Sequence, residues 1–138
     1  MSALRPIEVL LIEDNAGDVS LAKHALSEYR KPVALQVAAN GEQALAMLSK
    51  ASIDPDLIIL DLSVPGIAGG EFGKRWASID IPRVIFSSSA NPRDIGRVLA
   101  DGASDYVQKP TDLETFTQAM FQILDRWTPD PKIGIGVK

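Results

Sequence analysis

Cysteine is absent from the chain of 138 residues, which excludes thiolate metal sites, cysteine nucleophiles and disulfides together; a reducing compartment suits such a chain. Histidine is nearly absent too. The one imidazole, His24, falls inside a stretch of helical period away from any strand end, so a surface or packing role fits it better than phosphodonor chemistry. There is no long apolar run either. The start, "MSALRPIEVLLIED", has one Arg and an apolar run that meets acids after six residues, too short for a secretory core or a membrane span. Cytoplasm is the expected location, with no membrane partner. Positive charge is also short: the formal net charge is −4 and no basic patch is visible, so nothing attracts the chain to a phosphate backbone or anionic lipid. No nucleic-acid partner is expected.

What the sequence does hold is the balance of a globular protein, with 46% apolar and 23% charged residues and no low-complexity tract or repeat. A chain of this length buries a core without staples, and one domain is expected. Short aliphatic runs alternate with longer stretches of helical period. "IEVLLI" (7–12), "VALQVA" (33–38), "LIIL" (57–60), "RVIFS" (83–87) and "DYVQ" (105–108) read as strands, and their near-continuous apolar character suits parallel strands covered on both faces.

The helices between them carry their own punctuation. Val19, Ala22, Leu26 and Tyr29 mark one face of the first, and Asn40 precedes the second, "GEQALAMLS". A third, around "GEFGKRWAS", is weakened by Gly70 and Gly73, although Phe72 and Trp76 are spaced to pack. The fourth opens on Asn91-Pro92, turns Ile95, Val98 and Leu99 inward and ends at Gly102. In the last, Leu113, Phe116, Met120, Ile123, Leu124 and Trp127 form an inward stripe behind a Thr111/Glu114 capping box, leaving Phe121 to its exposed side. Five βα units in a row predict right-handed crossovers and a doubly wound α/β fold around a five-stranded parallel sheet. The domain is expected over residues 1–127. Residues 128–138, "TPDPKIGIGVK", read as a tail or arm, with no output domain after 127.

Ligand sites of open parallel sheets lie beyond the carboxyl ends of the strands. Strand one ends in Glu13-Asp14, strand three in Asp61, strand four in Ser87-Ser88-Ser89 and strand five in Lys109-Pro110. Three acids, a hydroxyl and an amine therefore meet at one edge. Carboxylates so placed repel one another unless a cation sits among them, and hard oxygen donors suit Mg²⁺. With that charge screened, Asp61 is able to attack a phosphoryl group and form an acyl phosphate, while Lys109 and the Ser87 hydroxyl bind the phosphoryl oxygens.

The motifs "LIED", "LIILDLSVPGIAGG", "VIFSSSA" and "GASDYVQKP", in this order and spacing, resemble the receiver domain of two-component response regulators, with the CheY-like (flavodoxin-like) fold. The resemblance covers roughly residues 5 to 127 and implies the strand order 2-1-3-4-5. Asp61 then corresponds to the phosphoaccepting aspartate, Asp14 to the direct Mg²⁺ ligand, Glu13 to a ligand through water and the Ser63 carbonyl to the third protein ligand. Lys109 would pair with the phosphoryl group, its bond to Pro110 cis. Ser87 stands at the switch hydroxyl and Tyr106 at the switch aromatic. The family's output or dimer surface is the fourth helix, fifth strand and fifth helix. Departures fall in the loop after Asp61, where Ala68 replaces a common acid and Gly66 a larger residue, while Ser63 and Ser89 flank the phosphoryl site.

The expected function is that of a single-domain response regulator. It takes a phosphoryl group from a sensor histidine kinase and passes the signal by contact to a target, a phosphotransfer protein or a second copy, through that surface or the tail. "IEDNAGDV", the hydroxyl run and the late Trp127 resemble the regulators encoded with phytochrome-type kinases. Two other readings compete with this one. A haloacid-dehalogenase-type phosphohydrolase also uses a strand-end Asp, but has a second acid where Ser63 stands here and an early nucleophile. A pseudo-receiver scaffold would lack some of the reactive groups, and all are present.

Overall fold

A computed structural model describes residues 5–50, 53–64, 79–88 and 91–128. The five apolar runs form strands with the bounds expected of them: β1 Ile7–Ile12, β2 Val33–Ala38, β3 Leu57–Leu60, β4 Arg83–Ser87 and β5 Asp105–Gln108. All pairings are parallel, in the order β2-β1-β3-β4-β5. Four helices are described, α1 Ala16–Ser27, α2 Gly41–Ser49, α3 Pro92–Ala100 and α4 Leu113–Trp127. The expected helix around "GEFGKRWAS" lies outside the described residues, as do Gly66, Ala68 and Ser89.

Alternation along the strands sorts the core into two layers, because successive side chains point to opposite faces. Ile7, Val9, Leu11, Leu57, Ile59, Val84 and Phe86 pack against Ala22, Ala25 and Leu26 of α1 and Phe116, Met120, Ile123 and Leu124 of α4. Leu10, Ile12, Ile58, Leu60 and Ile85 face Ala44 and Leu45 of α2, with Val98 of α3 packed at the margin. The sheet is therefore covered on both sides, which is why its middle strand, β3, has no polar position in it.

Caps fix where the helices begin. Asn15, Asn40 and Asn91 accept the N–H of Asp18, Gln43 and Arg93, satisfying donors that a helix start leaves open. The last helix begins one residue later than the Thr111/Glu114 box implies. Asp112 is the cap, accepting both the N–H and the hydroxyl of Thr115.

Three apolar positions depart from the expected pattern. Leu99 is 43% exposed, because the inward stripe of α3 runs through Ile95 and Val98 and turns Leu99 to its edge. Leu113 is 49% exposed in the first turn of α4, ahead of Phe116, where burial starts. Phe121 is half-buried and not an exposed contact: its ring packs on Tyr29 of α1 with centroids 5.3 Å apart. At the α3–β5 turn, Gly102 has φ +105°, and a Cβ there would meet the Arg83 guanidinium at 2.7 Å. That guanidinium donates to the Asp101 carbonyl at 3.2 Å.

Candidate functional site

Register sets the site. Ile12 of β1 pairs with Leu60 of β3, so the next residues, Glu13 and Asp61, leave the sheet side by side. Their backbones continue the ladder, Asp61 N donating to the Ile12 carbonyl at 3.2 Å and Glu13 N to the Ala38 carbonyl at 2.9 Å. Ser87 ends β4 opposite Gln108, and Lys109 N donates to the Ser87 carbonyl at 2.9 Å. Glu13, Asp61, Ser87 and Lys109 thus converge without any loop having to carry them.

Asp61 is buried, and each of its oxygens has a donor. Oδ1 accepts the Ser63 N–H and the Ser87 hydroxyl, both at 2.9 Å. Oδ2 accepts the Lys109 ammonium at 2.6 Å. Burial alone would push the carboxyl up, but the Lys109 bond, the Ser63 amide, the Lys109 charge and the Ser87 hydroxyl together hold it below the ordinary range. Asp61 therefore stays ionised, a state in which a carboxylate is able to act as a nucleophile.

The Lys109 side chain is 6% exposed and touches two further carboxylates, Glu13 Oε1 at 2.6 Å and Asp18 Oδ2 at 2.8 Å. Burial works to lower its pKa, yet the bonds to Asp18, Asp61 and Glu13 and the Asp61 charge raise it. Glu13 goes the other way: burial lifts it, and the Lys109 bond and charge and the Asn15 amide offset this only in part. Its outer oxygen, Oε2, accepts the Asn15 N–H at 3.2 Å.

The carboxylates of Glu13, Asp18 and Asp61 offer oxygens within 4.8 Å of one another. Three carboxylates against one ammonium leave a formal excess of two negative charges, and an all-oxygen donor set fits a hard divalent cation. Asp18 is the member that reading the sequence missed. An acid in the first turn of a helix has an ordinary explanation in the helix dipole, and nothing local points to a lysine 91 residues away.

The other expected residues are placed as follows. Asp14 is exposed next to Glu13 and stands outside the gathered group. Ser63 is exposed, with its amide on Asp61. Tyr106 is half-buried on β5, packed against the layer that holds Ile85. His24 is exposed on α1. The Lys109–Pro110 bond is trans, since no described peptide bond is cis; trans is the form ordinarily favoured, by about 0.5–1 kcal/mol, for a bond to proline, and Lys109 Nζ reaches all three acids from it.

The family model for the response regulator receiver domain matches residues 9–121. The chain is 34% identical over 124 residues to the nitrate/nitrite response regulator protein NarL of Escherichia coli (strain K12), a match covering 88% of this chain and 56% of that one. It thus spans about half the length of that curated relative. With the two-component response regulator ORR41 of Oryza sativa subsp. japonica it shares 31% over 114 residues, 81% of this chain and 90% of that one. Among solved structures it resembles the phosphorylated cyanobacterial phytochrome response regulator RcpA, at 27% identity and TM-score 0.81 over 94% of this chain and 99% of that one. The Mn²⁺-bound form of response regulator Rcp1 follows at 25% identity and TM-score 0.79, over 93% and 99%. With that fold, that strand order and that set of strand-end side chains, the chain belongs to the response regulator receiver domain family.

Proposed function

We propose that this chain accepts a phosphoryl group from a sensor histidine kinase onto Asp61, in a Mg²⁺-dependent reaction, and that its receiver unit spans residues 1–127 with 128–138 as a tail or arm. The observation that carries the reading is the setting of Asp61: buried and ionised, with two donors on Oδ1 and an ammonium on Oδ2. In the transfer the donor's P–N bond breaks, a P–O bond forms to the Asp61 carboxylate, and the departing imidazole nitrogen takes up a proton. Lys109 and the Ser87 hydroxyl are placed to neutralise the phosphoryl oxygens. A divalent ion, held by Glu13, Asp14, Asp61 and the Ser63 carbonyl, would supply charge screening between nucleophile and phosphoryl group. The reaction is self-catalysed, and its purpose is signalling rather than turnover.

Output is assigned to the face of α3, β5 and α4, with Ser87 and Tyr106 as the switch pair. Ser87 already bonds Asp61. Tyr106 lines a cleft of about 390 Å³ between β5 and α4, together with Gln108, Gln122, Arg126 and Trp127. Contact there with a target, a phosphotransfer protein or a second copy would pass the signal on. A phytochrome-type kinase is the proposed donor, on the likeness to RcpA, and the cytoplasm the proposed location. Among the described residues no helix is long and apolar enough to cross a membrane.

The test is to incubate the protein with acetyl phosphate and Mg²⁺ beside Asp61→Asn. One phosphoryl mass is expected on the parent chain, lost in acid, absent without Mg²⁺ and absent from the variant. An adduct that survives the substitution would overturn the assignment. Steady turnover of a phosphate ester would instead favour a phosphohydrolase.

A further inference from the structure

An ammonium has three N–H groups, and those of Lys109 face three different carboxylates: Glu13 at 2.6 Å, Asp61 at 2.6 Å and Asp18 at 2.8 Å. No donor is left over for an incoming phosphoryl oxygen, so one partner has to let go. Glu13 is buried, and releasing it would leave a desolvated carboxylate without that ammonium; Asp61 is ionised, and keeps its hold on Lys109, until the P–O bond has formed. Asp18 has a side chain 31% exposed, so water replaces its partner at small cost.

A second observation concerns the helix start. Asp18 is the third residue of α1 after its Asn15 cap, where an acidic side chain ordinarily turns back to the N–H of the cap residue. Here Glu13 Oε2 already takes that N–H. Asp18 gives its backbone N–H to Asn15 Oδ1 at 2.9 Å, and its carboxylate goes to Lys109 instead. The local arrangement thus directs Asp18 away from capping and onto the lysine.

We propose that Asp18 is a positioning residue of the phosphoryl site: it holds Lys109 in the resting protein and yields that N–H to a phosphoryl oxygen when Asp61 is loaded. The inference rests on the phosphoacceptor reading above. Asp18 and the phosphoryl group compete for one donor, so Asp18 sets how readily the loaded form is reached.

The test uses the whole chain, beryllofluoride as the phosphoryl mimic and saturating Mg²⁺ in every arm, with affinities from calorimetry. Asp18→Asn keeps the side chain's size and removes its charge, and is expected to bind beryllofluoride about threefold more tightly, the scale of one part-exposed ion pair lost from the resting state. Asp18→Glu keeps a carboxylate and should return towards the parent value. Asp94→Asn, which removes an acid from the first turn of α3, where it pairs with Arg97, should change nothing. Unchanged or weaker binding by Asp18→Asn overturns the proposal, as does an equal gain in Asp94→Asn, which would reduce the effect to net charge. A role confined to the helix start would lower the melting temperature without tightening the mimic, and that pattern also overturns it. If the folded parent chain binds no beryllofluoride, the phosphoacceptor reading fails and takes the inference with it; if the parent binds and Asp18→Asn matches it, the inference alone fails.

Discussion

The phenol of Tyr29 ties the end of α1 to α4, donating to Asp125 Oδ1 while Arg30 bonds the same oxygen at 2.7 Å. Burial, then the bond to Asp125 and its charge, push the phenol from its ordinary 10.0 up to about 12. The neutral form is the one the fold prefers, because only it can donate. A raised acid contributes stability in full below its unfolded value and loses it as pH rises through the folded one. The Tyr29 contribution should therefore be complete below about pH 10 and gone above about pH 12. Asp125 has the opposite sense: its bonds to Tyr29 and Arg30 hold it below the ordinary 3.8, so its share is present above that value and lost as pH falls through the depressed one. Tyr29→Phe removes the donor and keeps the ring on Phe121. It should cost about 1 kcal/mol near neutral pH, the usual net worth of one hydrogen bond, and should flatten the alkaline limb of stability against pH. Urea unfolding of both proteins at pH 7 and pH 11 checks this. A cost that persists undiminished at the higher pH would place it in packing instead.

Among the elements, the two helices that flank β5 differ in how firmly they are held. Helix α4 buries Phe116, Met120, Ile123 and Leu124, whereas α3 buries no side chain fully and shows Leu99 to solvent. Met120→Ala should cost about 2–5 kcal/mol, the range for emptying a core position, while Leu99→Ala should stay within about 0.5 kcal/mol. Amide exchange should rank the helices in the same order, with α3 opening at lower free energy than α4. Equal protection in the two would contradict this. The same contrast explains what the sequence made legible. The strands could be read to the residue because a run such as "LIIL" is buried on both faces and tolerates no polar position. Asn91-Pro92 was readable because cap and first-turn proline reinforce each other. Thr111 and Asp112 both suit a cap, and the sequence alone does not choose between them; in the structure Asp112 holds both the N–H and the hydroxyl of Thr115. Leu99 and Phe121 were misplaced because periodicity gives a stripe's direction but not its width, and the width depends on neighbours such as Tyr29. Within the site, Glu13, Asp61, Ser87 and Lys109 were visible as strand ends that parallel pairing must bring together. Asp18 was not, since its partner is chosen by tertiary geometry, and the trans Lys109–Pro110 bond is likewise a choice that no local pattern dictates.

At the scale of the whole molecule, the site is a cost that the fold bears. At the carboxyl edge of the sheet Glu13, Asp18 and Asp61 crowd around one ammonium, and the excess negative charge opposes folding of the free protein. A divalent ion that binds only the folded chain should relieve this by mass action. At about ten times its dissociation constant Mg²⁺ would add about 1.4 kcal/mol, which for a domain of this size raises the melting temperature by about 3–5 °C. Calcium should act more weakly if the site prefers the smaller ion's octahedral geometry. Glu13→Gln removes a charge that burial disfavours and should melt at or above the metal-free parent. Asp61→Asn removes a carboxylate that Lys109, Ser63 and Ser87 hold ionised and should melt at or below it, and both should respond less to added Mg²⁺. Thermal melts of the three proteins in EDTA and in a Mg²⁺ series measure both effects. A parent melting temperature that ignores Mg²⁺ across the millimolar range would remove the cation from the account of this pocket and leave Lys109 alone to balance its three acids.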